Sequence, residues 1–82
     1  MKVHELKIEP KYFEAVKDGR KKFEIRKNDR NYQEGDILIL RENDPITQLF
    51  SGEIIKVEVT YMTDYAQQDG YVVLGIEEIW EG

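Results

Sequence analysis

The sequence predicts a mainly β domain of the α+β class, a small five-stranded β-barrel with one short helix. Two observations support this prediction: four segments show hydrophobic alternation with a period of two and a fifth is a short apolar run, and one further segment, residues 10–18, shows helical spacing. A sheet of this size with a single apolar face curls and closes, which favours a barrel. Because 82 residues can bury only one modest core, residues 1–82 are expected to form a single domain.

The first strand and the helix are predicted from residues 3–18. Residues 3–8 alternate, and His4 falls on the apolar face, where a histidine tucked into the core is expected rather than a ligand or base. Pro10 suits the first helical turn because it has no N–H to lose there. Gly19 can end the helix in the left-handed conformation. The apolar stripe of this helix consists of Tyr12, Phe13 and Val16.

The other four strands are predicted from alternation and short apolar runs. Residues 22–27 return to a period of two, residues 37–40 are apolar on both faces, and residues 53–61 and 71–80 alternate. Residues 43–52 are predicted to be a long loop. Along the fourth strand, the residues predicted to point inward are Ile55, Val57, Val59 and Tyr61. The predicted core comprises Phe13, Val16, Phe23, Ile25, Ile39, Val57, Val59 and Leu74.

Charge is distributed unevenly along the chain. Residues 17–30 carry seven cations and three anions, whereas residues 43–82 carry one cation and eight anions. The net charge of −5 argues against non-specific coating of nucleic acid but is compatible with a local anion site. With no cysteine and no carboxylates spaced to share a metal with the single histidine, neither a metal site nor a cofactor is expected.

No membrane association is expected from the hydrophobic pattern. The longest apolar runs, residues 37–40 and 71–76, are far shorter than the roughly 20 residues that span a bilayer. Residues 1–10 contain no apolar stretch that resembles a signal peptide. A cytoplasmic protein is therefore predicted.

Residues 19–26 read GRKKFEIR, a G-x-K-x-x-E-x-R motif at the passage from the helix into the second strand. Glu24 and Arg26 lie two apart on a strand, so both side chains leave the same face about 6.6–7 Å apart. They can line a groove in which the guanidinium offers a planar fork to a phosphate or carboxylate, and Lys21 can reach the same groove. The alternative, favoured by spacing alone, is a solvent-exposed ion pair worth about 0–1 kcal/mol.

This motif and its flanks resemble the ASCH domains (activating signal cointegrator homology), which belong to the PUA-like superfamily of small β-barrels. The flanking features are I-x-P at residues 8–10, YF at residues 12–13, NDR at residues 28–30, GD at residues 35–36 and YVVLGI at residues 71–76. The resemblance covers most of the chain. It implies a PUA-like barrel that binds RNA or a nucleotide in a groove, with Gly19, Gly35 and Asp36 as structural parts of the motif. The ligand-binding residues that it implies are Lys21, Glu24 and Arg26.

Three further residues are candidates for ligand contacts. Arg30 sits in a loop beside Asp29, where its guanidinium either awaits a ligand or staples the loop. Tyr32 and Trp80 can each stack on a base, although such aromatic residues more often complete a core or cover a barrel end.

Two other functions compete with nucleic-acid binding. Some ASCH-like proteins resemble amidohydrolases that remove an acyl group from acetylated cytidine with a lysine, a threonine and a glutamate. Lys21 matches the lysine, but Glu24 occupies the threonine position, and a carboxylate cannot serve as the attacking hydroxyl, although it can act as a base toward water. Glu58 and Glu77 are the candidates for the later glutamate. The third function is a regulatory interaction module whose contact surface is the acidic C-terminal half.

Overall fold

The structure, a computed structural model, describes residues 1–80. It confirms a mainly β fold with one short helix between the first two strands. The third and fourth strands are longer than predicted, so the predicted loop at residues 43–52 shrinks to residues 44–49, and the last strand ends at Glu78 rather than Trp80. The elements are β1 Val3–Ile8, α1 Pro10–Lys17, β2 Phe23–Lys27, β3 Ile37–Asn43, β4 Phe50–Thr63 and β5 Tyr71–Glu78.

The five strands form one curled sheet in the order β1-β3-β4-β5-β2. β1 runs parallel to β3, and all other neighbours are antiparallel.

The curl brings the two edge strands, β1 and β2, to face each other across a gap that we call the seam. Within residues 1–80 no backbone ladder crosses the seam, and two arginines bridge it instead. Arg26 Nη2 donates to the Lys7 carbonyl at 2.9 Å, and Arg30 Nη1 donates to the Glu5 carbonyl at 3.1 Å. The sheet is therefore a half-barrel closed by side chains.

The core fills the inside of the curl. α1 packs against β3 and buries Phe13 and Val16, as its apolar stripe predicted, whereas Tyr12 stays at the surface. The inward faces of β1 and β5 follow the predicted alternation. The buried apolar side chains are Leu6, Ile8, Phe13, Val16, Tyr32, Leu38, Leu40, Ile55, Val57, Val59, Val72, Leu74 and Ile76.

The predicted orientation of β2 is wrong. Phe23 and Ile25 were expected in the core, but they are 42% and 51% exposed, whereas Glu24 is only 3% exposed. Glu24 and Arg26 do share one face of the strand, and that face points into the fold rather than to solvent. Burial of Glu24 is tolerated because cations pair with its carboxylate, which removes most of the cost of an isolated buried charge.

The predicted inward position of Tyr61 is also wrong, because β4 contains a bulge. β4 inserts one extra residue, Thr60, between the positions that pair with β5. Val59, before the insertion, points inward as predicted. After the insertion the alternation is reversed, so Tyr61 is 65% exposed and Met62 packs against the core. Ile39, predicted to be core, is half-buried on the outer face of β3.

A buried polar cluster ties the N-terminus to the turn before β3. Asp36 is 2% exposed, and its Oδ2 lies 2.9 Å from Nε2 of His4. Asp36 also accepts the backbone N–H groups of Lys2 and Gln33, each at 3.0 Å. The ring of Tyr32 packs edge-on against the imidazole with 4.8 Å between centroids. The predicted core position of His4 is confirmed, and Asp36 is the hydrogen-bond partner of its imidazole.

Between residues 1 and 80, no helix has the length and apolar character needed to cross a membrane.

Candidate functional site

The end of α1 places the lysine of the motif. Gly19 adopts the left-handed conformation with φ +84°, as predicted for the residue that ends the helix. The chain then turns back, and the N–H of Lys21 donates to the Ala15 carbonyl at 2.9 Å. Any residue other than glycine is strained at this φ. Gly19 therefore allows the turn that positions the backbone of Lys21. From there Lys21 Nζ reaches the first residue of β2 and donates to the Phe23 carbonyl at 2.7 Å.

The motif's three charged residues form one continuous cluster, which we call the charge cluster: Lys21, Glu24 and Arg26. Lys21 Nζ donates to Oε1 of Glu24, and Arg26 Nε donates to Oε2 at 2.9 Å. Arg26 Nη2 also lies 2.9 Å from Oε2. The side chains of Lys21 and Arg26 are 16% and 25% exposed, so both cations still reach solvent from the edge of the cluster.

The charge cluster retains hydrogen-bond donors after its internal contacts are made. Within residues 1–80, Nη1 of Arg26 has no hydrogen-bond partner, and Lys21 uses its ammonium on one carbonyl and one carboxylate oxygen. Glu24, by contrast, accepts hydrogen bonds on both of its oxygens. The cluster carries a net charge of +1 and presents donors rather than acceptors. This arrangement suits a ligand with anionic oxygens, such as a phosphate or a carboxylate.

The charge cluster lines a groove of about 410 Å³ at the seam, which we call the seam groove. α1 contributes Tyr12, β2 contributes Phe23 and Ile25, and the end of β1 forms the opposite wall. Lys21 Nζ lies 5.6 Å from the ring centroid of Tyr12 and 5.0 Å from that of Phe23. The exposed position of Phe23 and Ile25, which contradicts the predicted core, therefore gives the groove its apolar walls.

The structure brings together three of the four predicted ligand-binding residues and places the fourth nearby. Lys21, Glu24 and Arg26 meet in the seam groove. Arg30 lies farther along the seam, where it staples its loop to the Glu5 carbonyl. Gly35 adopts a left-handed φ of +92° in the turn before β3, and Asp36 holds that turn through the contacts described above.

The other candidates lie apart from the charge cluster. Tyr32 is 1% exposed and belongs to the core, whereas Trp80 is 83% exposed beyond the end of β5. Glu58 and Glu77 are exposed on β4 and β5, and neither lines the seam groove.

Sequence reasoning missed the contribution of β1 to the site. The carbonyl of Lys7 holds Arg26 in place, and Ile8 and Glu9 line the groove. These contacts depend on the curl that brings the two edge strands together, and alternation within one strand carries no signal for it. The sequence signal that did lie in this region was the I-x-P flank at residues 8–10.

In the part of the chain that the structure describes, no three His, Cys, Asp or Glu side chains gather closely enough to hold a metal ion.

The fold and the site define a small, curled half-barrel domain with a cationic groove at its seam. The same fold occurs in the crystal structure of a hypothetical protein, PH0355, with a TM-score of 0.65 and 22% sequence identity over 96% of this chain and 100% of that one. The chain belongs to the family described as a domain of unknown function, DUF3850, whose model matches residues 3–76. That match contains the whole charge cluster.

A relative in Escherichia phage P2 is 42% identical to this chain over 74 residues. Its name is "Uncharacterized 12.9 kDa protein in GpA 3'region". The alignment covers 89% of this chain and 66% of the relative, so the chain spans about two thirds of the relative's length.

Proposed function

We propose that this domain binds RNA or a nucleotide in the seam groove. The observation that carries the proposal is the charge cluster: two cations, held in position by one buried carboxylate, line a groove with aromatic walls. Phosphate oxygens match the donors of Arg26 and Lys21, and a base can lie against the exposed ring of Phe23. Glu24 acts as the positioning residue, because both of its carboxylate oxygens accept hydrogen bonds from the two cations.

The resemblance to ASCH domains of the PUA-like superfamily supports the same function. The G-x-K-x-x-E-x-R motif that carries the resemblance is the segment that forms the charge cluster. A small curled β domain is also the architecture that the resemblance implies.

The charge distribution favours a ligand with few phosphate contacts. The acidic C-terminal half repels polyanions that do not fit the groove, and the charge cluster contributes only one net positive charge. We therefore expect specific binding of weak to moderate affinity with two or three phosphate contacts. For single-stranded RNA the log–log slope of affinity against salt should be about −2.

Replacing Arg26 by alanine should weaken RNA binding more than replacing Lys27 by alanine. Arg26 lines the groove and donates through a planar fork, whereas Lys27, the next residue of the same strand, is exposed and does not line the groove. Both substitutions remove one positive charge. Comparing them therefore distinguishes binding at a defined site from general electrostatic attraction of RNA. The measurement is a titration of short single-stranded and hairpin RNAs at several salt concentrations.

Two controls accompany that comparison. Thermal unfolding of each variant shows whether the domain still folds, because alanine at position 26 leaves Glu24 buried with Lys21 as its remaining partner. Arg26→Lys keeps the charge but loses the fork, and it should bind RNA between the levels of wild type and alanine variant. Equal losses for positions 26 and 27 would point to simple charge attraction. No binding of any RNA at low salt would refute the proposal and favour the interaction module.

We expect no rapid deacylation of an acetylated cytidine nucleoside. The position of the attacking hydroxyl is occupied by Glu24, whose carboxylate oxygens are both engaged by cations. The measurement is release of acetate from the nucleoside by purified protein, beside Lys21→Ala. Turnover by the wild type that disappears in Lys21→Ala would make the amidohydrolase the better assignment.

A further inference from the structure

A second groove, of about 570 Å³, shares the lining residue Lys21 with the seam groove. It lies between the C-terminal end of α1 and the strands β4 and β5, and we call it the helix-end groove. Lys21 lines both grooves, so the two share a wall and a cation. A ligand in the seam groove that extends past Lys21 can therefore reach the helix-end groove.

The helix-end groove has walls of opposite charge. Lys17 and Lys22 line it on the side of the helix, and Glu77 and Glu78 line it on the side of β5. Such a groove suits a ligand that is anionic along one side only. In a single nucleic-acid strand the phosphates lie on one side and the base edges on the other, and carboxylates accept hydrogen bonds from the amino groups of bases.

Two charged residues on the helix side of this groove, Lys17 and Asp18, are already paired at its surface. Asp18 lines the groove, and its Oδ2 accepts Arg20 Nε at 2.7 Å. Lys17 Nζ donates to Glu53 at 3.2 Å, but both side chains are more than half exposed. An exposed pair of this kind is worth little, so Lys17 can exchange Glu53 for a phosphate at small cost.

Trp80 forms part of the rim of the helix-end groove. It is 83% exposed and is the chain's single tryptophan. The buried apolar residues Val57 and Ile76 also line this groove. A large aromatic side chain at the edge of a partly cationic groove is the arrangement with which proteins stack single-stranded bases.

We infer that the helix-end groove binds the nucleotide adjacent to the one in the seam groove, with its base stacked on Trp80. The inference rests on the proposed function, and it specifies the ligand: single-stranded RNA of two or more nucleotides, rather than a mononucleotide. Lys21 contacts the phosphate between the two nucleotides. Glu77 and Glu78 favour bases that carry an amino group, such as adenine and cytosine, over uracil.

The test uses Trp80 itself as the reporter. Adenosine monophosphate and a short oligoadenylate are titrated into the protein, and binding is followed by calorimetry and by tryptophan fluorescence in parallel. The mononucleotide should bind in the seam groove with little change in fluorescence. The oligoadenylate should quench the fluorescence and bind at least about fivefold more tightly, because stacking adds a second contact. Oligouridylate of the same length should bind more weakly than oligoadenylate.

Two variants distinguish base stacking on Trp80 from a general effect of exposed aromatic side chains on binding. Trp80→Ala should lower the affinity for oligoadenylate at least about fivefold and leave the affinity for the mononucleotide unchanged. The matched control is Tyr65→Ala, since Tyr65 is 84% exposed in the loop before β5 and lines neither groove. It should bind both ligands as the wild type does.

The outcomes distinguish this inference from the proposed function. If the oligoadenylate binds no more tightly than the mononucleotide and leaves the fluorescence unchanged, the helix-end groove is not a binding site and the seam groove keeps its function. If calorimetry detects no binding of either ligand or of the RNAs tested above, both proposals are wrong. Equal losses for Trp80→Ala and Tyr65→Ala would also overturn the assignment of Trp80.

Discussion

Val57→Asp is expected to unfold the domain. Val57 is 1% exposed in the middle of β4, where it pairs with Leu38 of β3 and Glu78 of β5. An unpaired carboxylate there costs several kcal/mol, against a total stability of about 5–15 kcal/mol for a domain of this kind. The expected result is loss of the cooperative thermal transition by circular dichroism.

The control for that substitution is Ile54→Asp. Ile54 lies on the same strand and is 49% exposed, so the same change of chemistry should shift the melting temperature only slightly. A Val57→Asp protein with the melting temperature of the wild type would contradict the register of β4. Similar losses for both variants would indicate that any new charge on β4 is destabilising.

Asp36 should make the domain sensitive to acid. Burial raises the pKa of Asp36, but the hydrogen bonds from His4 and from the backbone of Lys2 and Gln33 outweigh burial and hold the pKa at about 2. Because the folded pKa lies below the ordinary value of 3.8, the carboxylate contributes stability that is fully present above about pH 4. That contribution, about 2 kcal/mol, is lost as the pH falls from about 4 to 2.

The measurement is the free energy of unfolding by denaturant between pH 2 and pH 7 for wild type and Asp36→Asn. The variant should be less stable at pH 7 and should lose less stability than the wild type over the acid range. Asp29→Asn, at an exposed loop position, is the control and should follow the wild-type curve. If Asp36→Asn lost as much free energy of unfolding between pH 4 and pH 2 as the wild type, another carboxylate would be responsible for the acid sensitivity.

The elements with strong local signals were predicted correctly from the sequence. Pro10 and Gly19 mark the two ends of α1, because one lacks an N–H and the other tolerates positive φ. The alternation of β1 and β5 places His4 and Leu74 inward, as the structure shows. In each case the physical cause lies within a few neighbouring residues, so it can be recognised from the sequence of that segment alone.

The errors occurred where a distant part of the chain sets the local environment. The β2 face that carries Glu24 and Arg26 turns toward β1, where Arg26 donates to the carbonyl of Lys7, so the apolar residues Phe23 and Ile25 point outward. The bulge at Thr60 depends on the partner strand β5, and alternation within β4 does not reveal it. The charge cluster could thus be predicted as a set of residues, whereas its burial, its contact with β1 and the helix-end groove required the structure.

The strand order has a consequence for the order of folding. β3, β4 and β5 are neighbours both along the chain and in the sheet, so their pairing closes only short loops. β1 and β2 each pair with a strand far away in sequence, and closing those loops costs more entropy before any contact compensates for it. We therefore expect the three-stranded meander to form the folding nucleus and the N-terminal third to dock later. Since the charge cluster belongs to the late-docking third, substitutions in it should accelerate unfolding and leave the folding rate nearly unchanged. A family with this topology can vary its binding residues without slowing the appearance of the fold.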